Sequence, residues 1–244
     1  MNSKIKILGI IPARGGSKSI PRKNVKDFLG KPLIAWTIET ALKSGVLDRV
    51  IVTTDDDEIA DVAKRFGAEV PFKRPVELAT DAAPTLPVVQ HAVKWLKEKE
   101  GYSPFAIMLL EPTSPSREVA HLREAAELFS KSRADTLISV IAAPTRYNPH
   151  WLFKVGKDGM AELFTGESAK NIIPRRQLLP EVYARNGALY IFKVDCLGED
   201  PPGIFGDTTK LYVMGSEYNV DIDDPEDWYH AEQAVSKLLS RKMK

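Results

Sequence analysis

Apolar positions along this chain follow two alternating periods, one of strands and one of helices. Residues 5–11 read as a buried strand that stops at Pro12, and 32–43 as a helix opened by Pro32, carried by Leu33, Trp36, Ile38 and Leu42, and ended by Gly45. A strand over 49–54 follows, then a helix reaching Phe66 whose first turn holds Asp55, Asp56, Asp57 and Glu58. Those acids suit the positive end of a helix and read mainly as capping, with Asp55 near any site at the strand's carboxyl end. The pattern continues with a short strand at 70–72, a helix over 84–99 with His91 packed among valines, a strand at 105–110, a helix containing 122–129 and a strand at 136–141. From 143 to 183 the alternation fails: four prolines interrupt it, and Trp151, Leu152, Phe153, Leu163 and Phe164 supply scattered apolar bulk. A late strand at 187–194 and a final helix over 225–239, capped by Asp224, complete the chain. Strand and helix alternating in this way predict a single α/β domain over 1–244 with a mainly parallel, Rossmann-like sheet covered on both faces.

Composition narrows the class. With 244 residues, 43% hydrophobic and 27% charged, the chain is long enough for one large domain. A net charge of +1 gives no reason to expect a nucleic-acid or membrane partner, and no apolar run reaches membrane-spanning length or signal type. The four histidines are too scattered for a zinc site. The lone Cys196 excludes an internal disulfide and, flanked by Val194 and Leu197, reads as a structural thiol; a cytoplasmic location is expected.

The charge is unevenly placed. Between Arg14 and Lys31 lie six cations (Arg14, Lys18, Arg22, Lys23, Lys26, Lys31) against one anion, Asp27. This loop leaves the carboxyl end of the first strand, where open α/β sheets bind ligands. Gly15 and Gly16 let a backbone come close and offer amides for an anion nest, while Arg14, Lys18 and Lys23 supply charge-assisted bonds to phosphate oxygens. The pattern is neither a Walker A loop, since Ser17 precedes Lys18-Ser19, nor GxGxxG. A polyphosphate site is the reading preferred over a solvated basic turn. At the other end, Asp221 and Asp223 are two apart, so an extended backbone turns both carboxylates to one side and offers oxygens for Mg²⁺. The competing reading is that these acids, with Asp224 and Asp227, only cap the last helix.

The stretch from Ile10 to Asn24 resembles the signature of sugar-acid cytidylyltransferases of the CMP-sialic acid synthetase (acylneuraminate cytidylyltransferase) group. Three further segments resemble that family in order: 74–81 its RPxxLAxD, 111–117 (Glu-Pro-Thr-Ser-Pro-Ser-Arg) its QPTSPLR, and 176–188 its RQxLP followed by YRxNGA. The resemblance implies a nucleotide-binding set of Ala13, Arg14, Gly15, Gly16, Ser17, Lys18, Lys23, Asn24, Arg74 and Asp81. It implies sugar contacts from Glu111, Thr113, Ser114, Arg176, Arg185 and Asn186, and catalysis by Arg14, Lys23, Asp221 and Asp223 with Mg²⁺, or Mn²⁺ in its place, on the two aspartates. It also implies a nucleotide-diphospho-sugar transferase type of fold, with 143–183 as an inserted arm that packs on a second subunit, hence a homodimer. Two positions depart from the pattern, both on the sugar side: Glu111 stands for glutamine and cannot donate a hydrogen bond when ionised, and Ala184 stands where an arginine for the sugar carboxylate is common. Arg185 points the opposite way to residue 184 in an extended strand, which leaves Arg176 as the carboxylate contact. Asp81 has a second reading, as the cap of the helix that follows it.

The function implied is attack by the anomeric hydroxyl of a 2-keto-3-deoxy sugar acid on the α-phosphate of CTP, giving the CMP-sugar and pyrophosphate. Two other classes are a sugar-1-phosphate nucleotidyltransferase, separable by acceptor, and a silent nucleotide-binding scaffold, against which Lys18, Lys23, Asp221 and Asp223 argue.

Overall fold

The computed structural model describes residues 5–81 and 83–242. Its centre is a six-stranded sheet. The strands are β1 (Ile7–Pro12), β4 (Arg49–Thr53), β5 (Ala106–Leu109), β6 (Thr136–Ala142), β9 (Tyr183–Lys193) and β10 (Thr209–Met214), in the order β10-β6-β9-β5-β1-β4. The β1–β4, β1–β5 and β6–β10 pairs are parallel, whereas β9 runs antiparallel to both β5 and β6. The sheet is therefore mainly parallel, as the alternation predicts, with one reversed strand in its interior.

Period-two alternation divides the core. Ile7 and Ile11 of β1, with Ala106, Met108 and Leu110 at β5, pack under α1 (Leu33–Ser44), α2 (Asp57–Arg65) and α4 (Val119–Lys131). Leu8, Ile10, Ile107 and Leu109 face α3 (Thr85–Glu100) through Val89, Ala92 and Leu96. A third, smaller core joins the two ends of the chain. Ile20, Phe28 and Leu33 pack with Val220, Ile222, Trp228, Ala231 and Val235, the last three on α5 (Pro225–Lys242), and the Phe28 and Trp228 rings meet edge-on at 5.3 Å.

Several expectations are corrected. The strand expected at 70–72 is reduced to two isolated bridges, Ile51 to Glu69 and Thr54 to Lys73, because β4 is an edge strand and the segment follows it only at its ends. The late strand begins at Tyr183, not 187, and its pairing slips between Ile138 and Val140. Three short pieces were not foreseen: a two-residue hairpin, β2 (Asp27–Phe28) with β3 (Lys31–Pro32), a second hairpin within 143–183, β7 (Phe153–Val155) with β8 (Ala161–Leu163), and β10. No helix among the described residues is long and apolar enough to cross a membrane.

Candidate active site

Pro12 ends β1, and the chain turns out over the carboxyl ends of β1, β4 and β5. Ala13, buried, keeps the strand's hydrogen bonding for one more residue by donating to Thr53. Arg14 then lines a cleft of about 220 Å³ with Lys23, Asn24, Arg74, Glu111 and Thr113. Asn24 is buried and donates Nδ2 to the Arg14 carbonyl at 3.1 Å, bracing the loop across its own width. The loop is pinned from outside as well. Gly15 donates its amide to Asp55 Oδ1 at 3.0 Å, and a Cβ added at Gly15 would meet Asp56 Oδ2 at 2.8 Å, so only glycine lets the loop lie against the start of α2. Arg22, at φ 57°, pairs with Asp56 at 2.6 Å and with Glu58, which hold its guanidinium above its ordinary range. The acids of 55–58 thus divide their work. Asp56 caps α2 by accepting from Ile59 at 2.9 Å, and Asp55 anchors the loop. The expected nest is correspondingly altered: the Gly15 amide is engaged within the protein, while Gly16 and Ser17 lie at the surface side of the loop.

Asp81 does not cap α3; the residue at that position is Pro84, with no side-chain cap. Asp81 instead bridges Arg14 at 2.7 Å and Lys18 at 2.6 Å, and the Lys18 bond, then the charges of Lys18 and Arg14, pull its carboxyl below the usual range. Two cations expected to meet phosphate are therefore already matched to an internal anion. Asp81→Ala is expected to tighten binding of inorganic pyrophosphate by roughly three- to tenfold, the scale of two partly exposed ion pairs, and titration calorimetry at fixed ionic strength checks it. Unchanged or weaker binding would show that Asp81 does not compete with the anion.

Arg74 is buried and turned inward, donating to the Thr53 hydroxyl at 3.2 Å, to the Thr53 carbonyl and to the Leu78 carbonyl at 3.4 Å. Burial lowers it to about 10 against the opposing pull of Asp55 and Glu111. It shapes the wall of the cleft more than it reaches into it.

The chain's end packs against two of the lining residues, Lys23 and Thr113. Ile222 donates its amide to the Thr113 carbonyl at 3.0 Å and accepts from Lys23 Nζ at 2.7 Å; Lys23 also lies 3.7 Å from Asp223 Oδ1. Asp221 keeps solvent contact yet is crowded by protein. That desolvation raises its carboxyl, a bond from Thr113 lowers it, and the neighbouring charge of Asp223 raises it further. The two acids after them do the capping: Asp227 accepts from the amides of Asp223 and Asp224, and Asp224 from those of Glu226 and Asp227. Asp221 and Asp223 are left facing the basic loop. Among the described residues no three metal-ligating side chains converge; Asp221 and Asp223 alone would offer a cation here hard oxygen donors of the kind magnesium prefers.

The slip in β9 has a site of its own. Ser139 donates to Asn186 Oδ1 at 2.6 Å and accepts the Leu189 amide at 2.9 Å, while Asn186 Nδ2 reaches the Met214 sulfur. Asn186 is thus buried and engaged at both ends of its amide, a brace for the slipped register and not a free sugar contact. The brace sets Gly187, φ 69°, where an added Cβ would lie 3.7 Å from Asp221 and 3.9 Å from Ser114. Ser114 is fully buried and its hydroxyl has no partner among the described residues. Arg185 lies near Tyr190, whose hydroxyl burial pushes above its ordinary range, and neither residue lines the cleft around Arg14 and Lys23. Arg176 does not reach the cleft: it lines a separate cavity at the base of the 143–183 segment with Asn148, Pro180 and Tyr183.

Sequence reasoning missed Arg117. Buried beneath the cleft, it donates to the Glu111 carbonyl at 2.7 Å, to the Ala188 carbonyl and to the Thr37 hydroxyl at 3.1 Å, tying β5, β9 and α1 together. Burial lowers it to about 10, against the pull of Glu111. The Glu111 carboxyl is in turn raised to about 7 by desolvation, with Arg117 opposing. A carboxyl raised on folding stabilises the fold fully below its ordinary value near 4.5, and that stability is lost as pH rises through 7. Glu111→Gln is expected to remove this loss. Its melting temperature should exceed the wild type's at pH 8, the gap closing below pH 4.5 and amounting to about 3 kcal/mol at most. Parallel melting curves across that range would sink the assignment.

A family model described as Cytidylyltransferase matches residues 8–199. The chain is 35% identical over 223 residues to pseudaminic acid cytidylyltransferase of Campylobacter jejuni, spanning 91% of this chain and 93% of that one. It is 36% identical over 233 residues to N-acylneuraminate cytidylyltransferase A of Danio rerio, spanning 95% of this chain and 51% of that one. Among solved structures, CMP:2-keto-3-deoxy-manno-octonic acid synthetase complexed with CTP has the same fold, with a TM-score of 0.68 at 16% identity over 96% of this chain and 99% of that one. The chain belongs to the cytidylyltransferase family of nucleotidyltransferases.

Proposed function

We propose that the protein transfers the cytidylyl group of CTP to the anomeric hydroxyl of a 2-keto-3-deoxy sugar acid of the nonulosonate type. The carrying observation is the closure of the basic loop on the terminal acids: Lys23, which lines the cleft, bonds Ile222 and lies 3.7 Å from Asp223, which brings cations and carboxylates together beside one cleft. In the reaction the acceptor oxygen bonds the α-phosphorus, the bond to the β-phosphate oxygen breaks, and pyrophosphate leaves. Arg14 and Lys18, released from Asp81, and Lys23 bind the triphosphate and balance the charge that gathers on the departing oxygens. Asp221 and Asp223 would hold Mg²⁺, or Mn²⁺ in its place. Such an ion would supply charge neutralisation at the phosphates and make the attacking hydroxyl more acidic. The Arg185 and Glu111 side supports the sugar half of the site.

Assembly as a homodimer is supported by the segment 143–183, which exposes Tyr147, Phe153, Val155, Met160, Phe164 and Leu178. A second subunit covering them is also the route by which Arg176, remote from its own cleft, meets substrate. The single buried cysteine fits a cytoplasmic enzyme.

The test is pyrophosphate release with CTP and Mg²⁺ against a panel of 2-keto-3-deoxy sugar acids, with glucose 1-phosphate as control. Release with one sugar acid is expected. Release with the sugar phosphate alone would make the protein a sugar-1-phosphate nucleotidyltransferase, and release with none would leave a nucleotide-binding scaffold.

A further inference from the structure

We propose that Ser116 and Tyr218 are positioning residues for cytidylyl transfer: together they hold the irregular segment between β10 and α5, so that Asp221 and Asp223 keep their place beside Lys23. The proposal rests on the reading of the reaction given above. Both acids stand outside regular structure. β10 ends at Met214, a single turn covers Ser216–Tyr218, and α5 begins at Pro225. Residues 219–224 belong to neither strand nor helix, so individual hydrogen bonds set their path.

The anchors come from the loop that leads from β5 into α4. The Thr113 carbonyl accepts the Ile222 amide at 3.0 Å. Ser116, buried, donates its hydroxyl to the Tyr218 carbonyl at 3.1 Å, and the same carbonyl accepts the Val220 amide at 2.9 Å. The other end of Tyr218 is held too. Its hydroxyl donates to Glu118 Oε1 at 3.1 Å, and its ring stands edge-on to His121 at 4.3 Å. Glu118 is the N-cap residue of α4, and its amide donates to His121 Nδ1 at 3.1 Å, so both contacts end on the first turn of a helix. The loop is fixed in turn by Arg117, which ties it to β9 and α1. Asp221 thus lies between two anchored residues, Tyr218 and Ile222. Ile222 is also the residue whose carbonyl accepts from Lys23 Nζ at 2.7 Å. A shift of this segment moves the acids and the acceptor of Lys23 together, and a displacement near 1 Å costs up to about a hundredfold in rate. Arg14, Asn24 and Arg74 line the cleft from other elements, so the nucleotide keeps most of its contacts when the segment moves.

The experiment compares wild type, Ser116→Ala, Ser116→Thr and Tyr218→Phe. Pyrophosphate release, with the acceptor of the panel that wild type uses best, reads kcat. Calorimetric titration with CTP in the absence of metal reads nucleotide affinity. Electron paramagnetic resonance of Mn²⁺ in the presence of CTP reads the acids without turnover, and thermal unfolding reads stability. Ser116→Ala is expected to lower kcat and Mn²⁺ affinity about tenfold, and Tyr218→Phe about threefold, the scale of one lost hydrogen bond, while CTP affinity stays within about twofold. Ser116→Thr keeps the hydroxyl and should restore most of both. A merely structural role would instead weaken CTP and Mn²⁺ alike, in step with a lower melting temperature, and that result would overturn the proposal. Unchanged kcat and Mn²⁺ affinity in both Ser116→Ala and Tyr218→Phe, or no Mn²⁺ bound by wild type with CTP, would overturn it as well. Should Ser116→Ala not fold, Tyr218→Phe carries the comparison, since it removes one hydroxyl and keeps the ring. Absence of pyrophosphate release by wild type would overturn the reading of the reaction; the Mn²⁺ arm would then decide Ser116 and Tyr218 alone.

Discussion

Lys23→Met is expected to lower kcat/KM roughly a thousandfold while leaving the fold intact, the scale of removing one preorganised donor from a charge-building transition state. Methionine keeps most of the stem that packs Lys23, whose side chain is only 14% exposed, but removes the donor to Ile222 and the charge beside Asp223. The first loss loosens the contact between the basic loop and the terminal acids; the second leaves the leaving pyrophosphate without its inner cation. Asp223→Ala should be equally inactive with no change in melting temperature, since that side chain is 79% exposed and caps nothing. Steady-state pyrophosphate release at saturating Mg²⁺, read beside thermal unfolding, checks both. Near-normal turnover in either variant would remove that residue from the catalytic set.

Arg117→Ala is expected to have the largest effect on stability, about 3–5 kcal/mol, the range for breaking a buried charge network on one side. Two carbonyls and a hydroxyl lose their donor, and the Glu111 carboxyl loses the cation that most favours its charged form. In a chain of 244 residues this corresponds to a fall of about 10 °C in melting temperature. The double variant with Glu111→Gln should fall by less than the sum of its parts, because the glutamine no longer needs a counter-charge. A drop under about 2 °C would mean that water replaces the guanidinium without loss.

The residues that these two predictions concern were not equally legible in the sequence. Lys23 could be found because chemistry and position coincided: a cation-rich turn directly after a strand that alternates cleanly between two helix faces. Asp221 and Asp223 were legible as a pair, but not their relation to Lys23, which depends on Ile20, Phe28 and Trp228 folding the two chain ends into one small core. Arg117 was visible only as the closing arginine of the 111–117 match; its role lies in what its neighbours' backbones require, which no periodic signal marks. Asp81 carried two readings, a nucleotide contact and a cap, and its pairing with Arg14 and Lys18 was legible in neither, because those partners are more than sixty residues away. The strands with one face in solvent, such as β10, with Leu211 and Val213 exposed, gave too weak an apolar pattern to be seen. The reversed direction of β9 could not be read at all, since strand orientation is set by which neighbours it finds and not by its own side chains.

That reversed strand also orders events in time. β4, β1 and β5 form one block and β6 with β10 another, and β9 alone is hydrogen-bonded to both. During synthesis the first block has its partners as soon as β5 emerges, but it ends in an unpaired edge until residues 183–193 arrive. The same strand brings Gly187 against Asp221, so the cleft cannot close until the segment carrying the two acids has followed it out. Along the chain, therefore, the basic loop has its partners Asp55 and Asp56 early and the acids at 221 and 223 come last, with the β5 edge unpaired in between.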